Sequence, residues 1–287
     1  MHVVIRNHPR GRLVFDRNAI VRAAMLAYVD ATFAEYPINR LSFAPCAFSR
    51  WQGDPHRGAF DNYDGEGNND VVAWTEAGVV GLAYELGFGA IEQLGLSKDA
   101  VTGGPDDVRP ALPGLPDELE PALIMATSML GIGSEHGQRD AGIGFWVYND
   151  QAAGTLFDNP MDAGATLLVR WGLLQDGRLP SLSSFSRDPG TREAVAESIR
   201  RQAPLRAIID AVVARALVGP TEFTTDELAT LLPTLPDPEP LLFAQRMLQK
   251  VGITWPGSPE LPPLPPPGLN PFTGKPFTEA ELARSRL

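Results

Sequence analysis

Cysteine occurs once in this sequence, at Cys46, so no internal disulfide and no cysteine-based zinc cage can form. Cys46 also follows Pro45 within an apolar segment, the setting of a structural thiol rather than of a nucleophile activated by an imidazole. Lysine is scarce, with Lys98, Lys250 and Lys275 set against 21 arginines, and together with 27 prolines and 28 glycines this suggests a GC-rich bacterial genome. The longest nearly apolar stretch, "ALIMATSMLGIG" (Ala122–Gly133), falls short of a bilayer span and contains polar residues. The opening "MHVVIRNHPRGRLVF" has no continuous apolar core of a secretory signal, because Arg6, His8, Arg10 and Arg12 interrupt it. These features point to a soluble, cytosolic, non-membrane protein.

Catalytic motifs are missing too. The four histidines (His2, His8, His56, His136) fall in neither H-E-x-x-H nor H-x-E…P-C-x-x-C, so zincin and zinc-deaminase chemistry have no support. No G-x-S-x-G elbow, G-x-G-x-x-G fingerprint or P-loop is present, and the expectation is no catalytic constellation and no cofactor.

What the chain does have is an uneven charge. Residues 1–50 carry seven arginines against three acids, a net of +4. Residues 51–180 carry six basic groups against twenty acids, a net of −14, and residues 181–287 are nearly balanced at −1. An acidic middle repels phosphate backbones and attracts basic proteins, which argues against nucleic acid and for a basic protein partner.

Periodicity and turn chemistry predict an α+β fold. Asp16 caps a helix from Arg17 to Glu35, with Ile20, Ala24, Tyr28 and Val21, Met25, Val29 on adjoining rows of one face. Leu41–Phe48 reads as extended, and Trp51–Asp70 as a long polar loop. "VVAW" and "VVGLAYEL" flank "TEAG", a hairpin over 71–86. Asp117 opens a helix to Leu130, with acids in the first turn where the helix dipole favours them. A strand lies near 143–148, and "GTLFDN" can pair with it across an Asp150–Ala153 turn. A further helix is expected over Asp162–Leu174. From Pro189 the pattern is helical, with Thr224 and Glu227 spaced as a capping box and Gly219 and Gly252 at helix ends. Nine prolines between Trp255 and Arg286 favour an extended tail. The expected organisation is an α+β part over 1–180 built on a small antiparallel or mixed sheet, a helical segment over 181–254 packed on it, and a Pro-rich tail over 255–287.

"DNYDGEGNND" (Asp61–Asp70) is the most chemical-looking stretch. Counted from Asn62 as a calcium loop, Asn62, Asp64, Glu66 and Asp70 fall on ligand positions and Gly67 on the glycine position. The twelfth position is Ala73, so the bidentate carboxylate is missing, and the segment after Asp70 is strand-like. A polar turn entering the hairpin is the simpler reading. These residues allow three functions. The first is a non-catalytic bacterial binding protein, such as an inhibitor or immunity protein, that meets a basic partner through Asp61, Asp64, Glu66 and Asp70. The second is a metal-assisted hydrolase built on the same acids with Asn62 and His56. The third is a scaffold component docking through its Pro-rich tail.

Overall fold

The computed structural model describes residues 7–8, 11–35, 48–63, 68–84, 105–130, 141–158, 167–168, 170–175, 189–232 and 238–257. The chain begins with β1 (Asn7–His8) and β2 (Gly11–Leu13), then α1 (Arg17–Glu35). Four strands come next: β3 (Phe48–Gly53), β4 (Gly58–Tyr63), β5 (Asn69–Trp74) and β6 (Gly78–Tyr84). Two 3₁₀ turns (Pro105–Ala111 and Asp117–Leu119) lead into α2 (Glu120–Leu130), and β7 (Ile143–Tyr148) and β8 (Gln151–Ala153) return to the sheet. The rest comprises α3 (Thr155–Asp158), β9 (Leu174–Gln175), α4 (Pro189–Ala216), β10 (Thr221–Glu222), α5 (Thr225–Leu231), α6 (Pro238–Gln249) and β11 (Ile253–Thr254). The fold is α+β.

β3 to β8 form one six-stranded antiparallel sheet in sequential order. Both of its faces are covered, so β5 and β6 read as nearly continuous apolar runs rather than the alternation of a half-solvated sheet. One face, bearing Trp51, Phe60, Val72, Trp74, Val79, Phe145 and Val147, packs against α1. The opposite face, bearing Ala59, Val71, Ala73, Val80, Leu82 and Trp146, packs against α2. Each fully buried large side chain here contributes roughly 2–3 kcal/mol relative to exposure.

α1 is buried because it lies between the sheet and a second helical layer of α4 and α6. All six residues of its expected apolar rows, from Ile20 to Val29, are buried. Tyr28 bridges the layers: its ring meets Phe60 edge-on, and its hydroxyl donates to the Met247 carbonyl on α6 at 3.1 Å. Asp30 pairs with Arg206, and Arg22 with Asp210 at 3.5 Å, tying α1 to α4. A single apolar cluster runs from Leu13 through Trp74 and Phe145 to Ile209, Phe223 and Trp255, and α4 and α6 pack on α1. Trp255 is itself buried in that cluster, and residues 258–287 of the expected tail lie outside the described residues.

Several expected elements are corrected. Residues 51–70 are not one long loop: they carry the second half of β3, all of β4 and the start of β5. The Asp-, Pro- and Gly-rich composition that suggested a loop belongs to a tight turn, in which Asp54 Oδ1 accepts from the amides of His56 and Arg57. "GTLF" does not pair with β7. The strand ends at Ala153, and Thr155 Oγ1 accepts from the Gly144 amide and donates to the Gly142 carbonyl, replacing ladder bonds while α3 begins. The hairpin turn is Asn149–Asp150, both at positive φ, which suits a two-residue loop. The helix expected over Asp162–Leu174 has already ended by Trp171, and Leu174 pairs with Leu13 of β2. The helical pattern from Pro189 is one helix to Ala216 that runs through Pro204, which is exposed, so water can donate to the carbonyl that the missing proline N–H leaves unpaired. The capping box at Thr224 and Glu227 is present in full. Leu41–Ala47 lies outside the described residues.

Gly81 pairs directly with Phe145 across β6 and β7, and a Cβ built on it would run into the Phe145 ring. That ring is held from behind by Trp171 at 5.0 Å and by Phe157. Gly81→Val is therefore expected to lower unfolding free energy by about 1–3 kcal/mol through overpacking, measured by chemical denaturation. A cost under about 0.5 kcal/mol would show that the ring can move aside.

Candidate functional site

The acids singled out in the sequence sit on two neighbouring strands, and the register decides where they point. Asp61 of β4 lies opposite Arg50 of β3 and Val71 of β5, whereas Asp70 lies opposite Asn62. Side chains alternate between faces along a strand and match across directly paired positions. Asp61 therefore shares the α2 face with Arg50, Asn69 and Val71. Asp70 and Asn62 share the α1 face with Phe60 and Val72. Both carboxylates are buried, with only 1% of Asp61 and 4% of Asp70 exposed. The expectation that they are surface charges is corrected: they sit inside a sheet covered on both sides.

On the α1 face, Asp70 Oδ1 accepts from Asn62 Nδ2 at 2.9 Å and from Arg170 Nη1, and its Oδ2 accepts from Trp171 Nε1 at 3.2 Å. Three donors thus hold one buried carboxylate, and two of them come from a segment a hundred residues away in the chain. On the α2 face, Asp61 Oδ2 accepts from Arg50 Nε at 2.7 Å and also from Arg50 Nη2. Burial raises the Asp61 carboxyl from its ordinary 3.8 to about 6, and the charge and hydrogen bonds of Arg50 only partly oppose this. Asn69, which also favours the charged form, donates its own Nδ2 to the Leu130 carbonyl at 3.3 Å, joining this edge of the sheet to the end of α2. Asp61 Oδ1 and the side-chain oxygens of Asn62 and Asn69 are buried without a hydrogen-bond partner.

Because Asp61 and Asp70 leave the sheet by opposite faces, these two carboxylates do not meet at one ion. His56 lies in the β3–β4 turn, at the end of β4 away from Asp61 and Asn62, with its amide on Asp54 and its carbonyl accepting from Arg17 at 2.7 Å. Asp64 and Glu66 lie outside the described residues. Among the described residues, no three His, Cys, Asp or Glu side chains converge in a way that could hold a metal ion.

Sequence reasoning missed Arg50, Asn69, Arg170 and Trp171. A signal for Arg50 existed: once Gly53 and Gly58 are taken as the two ends of a tight turn, counting back places Arg50 opposite Asp61. Nothing local signals Arg170 or Trp171, which reach Asp70 only through tertiary packing.

A shallow cleft of about 260 Å³ opens elsewhere, between Phe15, Arg17, Gly78, Tyr148 and Asp150. Its one cation is already engaged: Arg17 donates to the carbonyls of Thr75 at 2.6 Å, Pro55 at 2.8 Å and His56. The cleft therefore serves to pin α1 onto two turns of the sheet. No protein-family model, curated protein or solved structure matches this chain. No described helix is long and apolar enough to cross a membrane.

Proposed function

We propose that this chain is a non-catalytic, cytosolic bacterial binding protein that engages a basic protein partner through its acidic middle region, as an inhibitor or immunity protein does when it masks a basic toxin or enzyme. The observation that carries the reading is charge: residues 51–180 have a net charge of −14. With Asp61 and Asp70 set aside as internal, the exposed carboxylates among the described residues of this region are Asp54, Glu76, Asp106, Asp117, Glu118, Asp150 and Asp158. Acids left in solvent at this density create a field that speeds encounter with a basic partner and rejects nucleic acid. The polar groups inside the sheet fit a structural role, since the Asp70 carboxylate is enclosed by its own donors.

The test begins with affinity purification from the native host, followed by binding kinetics of the isolated partner in a salt series. The on-rate is expected to fall by about tenfold or more between low and several-hundred-millimolar salt, as screening shortens the reach of the field. An on-rate flat across salt would assign the acidity to solubility alone.

A further inference from the structure

α2 is an outer-layer helix with an unusual outer face. A helix that packs one side on a sheet ordinarily places charged residues on the other. In "EPALIMATSML" the single charged residue is Glu120, at the first position. Ala122, Leu123, Ala126, Met129 and Leu130 are buried against the sheet. The outward stripe is Pro121, Ile124, Met125 and Ser128, of which Pro121, Ile124 and Ser128 are exposed and Met125 is partly so. Ile124 is 52% exposed, one of only two large hydrophobic side chains exposed among the described residues. This is the same apolar stretch that stands out in the sequence, and packing on the sheet accounts for only half of its circumference.

Acids frame one end of the stripe. Asp117 and Glu118 are exposed in the turn just before α2, and Arg109 draws Asp106 (2.7 Å) and Glu120 (2.6 Å) to the same end. Four acids thus lie at that end, two of them paired with Arg109 and two, Asp117 and Glu118, exposed in the turn. An uncharged helical stripe with an acidic end complements a segment that presents an apolar side chain beside arginine or lysine. Apolar contact supplies hold, and the carboxylates supply orientation and rejection of acidic competitors.

We infer that the outer face of α2, centred on Ile124 and bounded by Asp106, Asp117, Glu118 and Glu120, is the docking surface for a basic amphipathic segment of the partner protein. The inference rests on the binding-protein reading above and names its contact surface.

The probe is a synthetic amphipathic Arg/Leu helical peptide, compared with an all-Arg peptide and a Glu/Leu peptide of equal length, with binding read by fluorescence anisotropy. The Arg/Leu peptide is expected to bind at least fivefold tighter than all-Arg, and Glu/Leu not at all. Ile124→Ser, and separately Asp106→Asn with Asp117→Asn and Glu118→Gln, should each weaken Arg/Leu binding about fivefold or more. Neutralising Glu76, Asp150 and Asp158 in place of that set removes the same charge from the general field and should cost less than half as much. All these sites are exposed, and an unchanged Tm checks that each variant is folded. Failure of the Arg/Leu peptide to bind overturns the docking surface, and so does indifference to Ile124→Ser. Equal loss from both neutralised sets overturns the α2 surface while leaving a general acidic attraction standing. The salt series with the native partner tests the broader reading separately.

Discussion

Replacing Asp70 by Ala is expected to lower unfolding free energy by about 3–5 kcal/mol, the range for removing one partner of a buried ion pair. The size reflects its three donors: Arg170 loses this carboxylate, and Trp171 Nε1 and Asn62 Nδ2 lose their acceptor, all beneath α1. An exposed carboxylate, which the sequence suggested, would cost roughly 0–1 kcal/mol. Urea denaturation of the wild type and Asp70→Ala separates the two. Adding Arg170→Met to Asp70→Ala should recover part of the loss, because the partly buried guanidinium that Asp70 faces is then gone as well. A cost below about 1 kcal/mol would show that Asp70 is open to solvent.

The second large effect concerns pH. Native Asp61 keeps its proton up to about 6, whereas in the unfolded chain it loses the proton near 3.8. Between those values the native state binds more protons than the unfolded state, so stability falls as pH rises through the window and levels above it. With about 1.4 kcal/mol for each pKa unit, Asp61 is expected to remove about 2–3 kcal/mol between pH 4 and 7. Asp61→Asn should lack this slope. At pH 4 the variant and wild type should converge, since a protonated carboxyl and an amide are nearly the same size and both accept from Arg50. By pH 7 the variant should be the more stable protein. Parallel profiles for the two would show that Asp61 titrates at its ordinary value.

Both predictions depend on side-chain directions that the sequence conceals. "DNYDGEGNND" reads as a loop because Asp, Asn and Gly dominate it, and those residues do favour turns in isolation. In the fold, its two ends are instead the facing ends of β4 and β5, with Asn62 set against Asp70. Tertiary cover overrides local preference there: α1 on one side and α2 on the other exclude water from strands that still carry acids, and the arginines at 50 and 170 make those acids tolerable. Of the residues on calcium-loop positions, Asn62 and Asp70 share a face and bond each other, Asp64 and Glu66 lie outside the described residues, and the neighbouring Asp61 leaves by the other face.

The sequence by itself determined the α+β class, the apolar rows of α1, a hairpin expected over 71–86 whose described strands run Asn69–Trp74 and Gly78–Tyr84, the start of α2 near Asp117 and the cap at Thr224. Each of these is written within a few residues of chain, as a helical period, a run of β-branched residues or a side chain bonding a nearby amide. Only the tertiary structure decided which acids are internal, which helix outer face is left bare, and that the C-terminal helices close over α1. Those outcomes are set by strand register and layer order, and both emerge from contacts between residues far apart in sequence, such as Asp70 with Arg170 and Tyr28 with Met247, which leave no periodic trace in the chain.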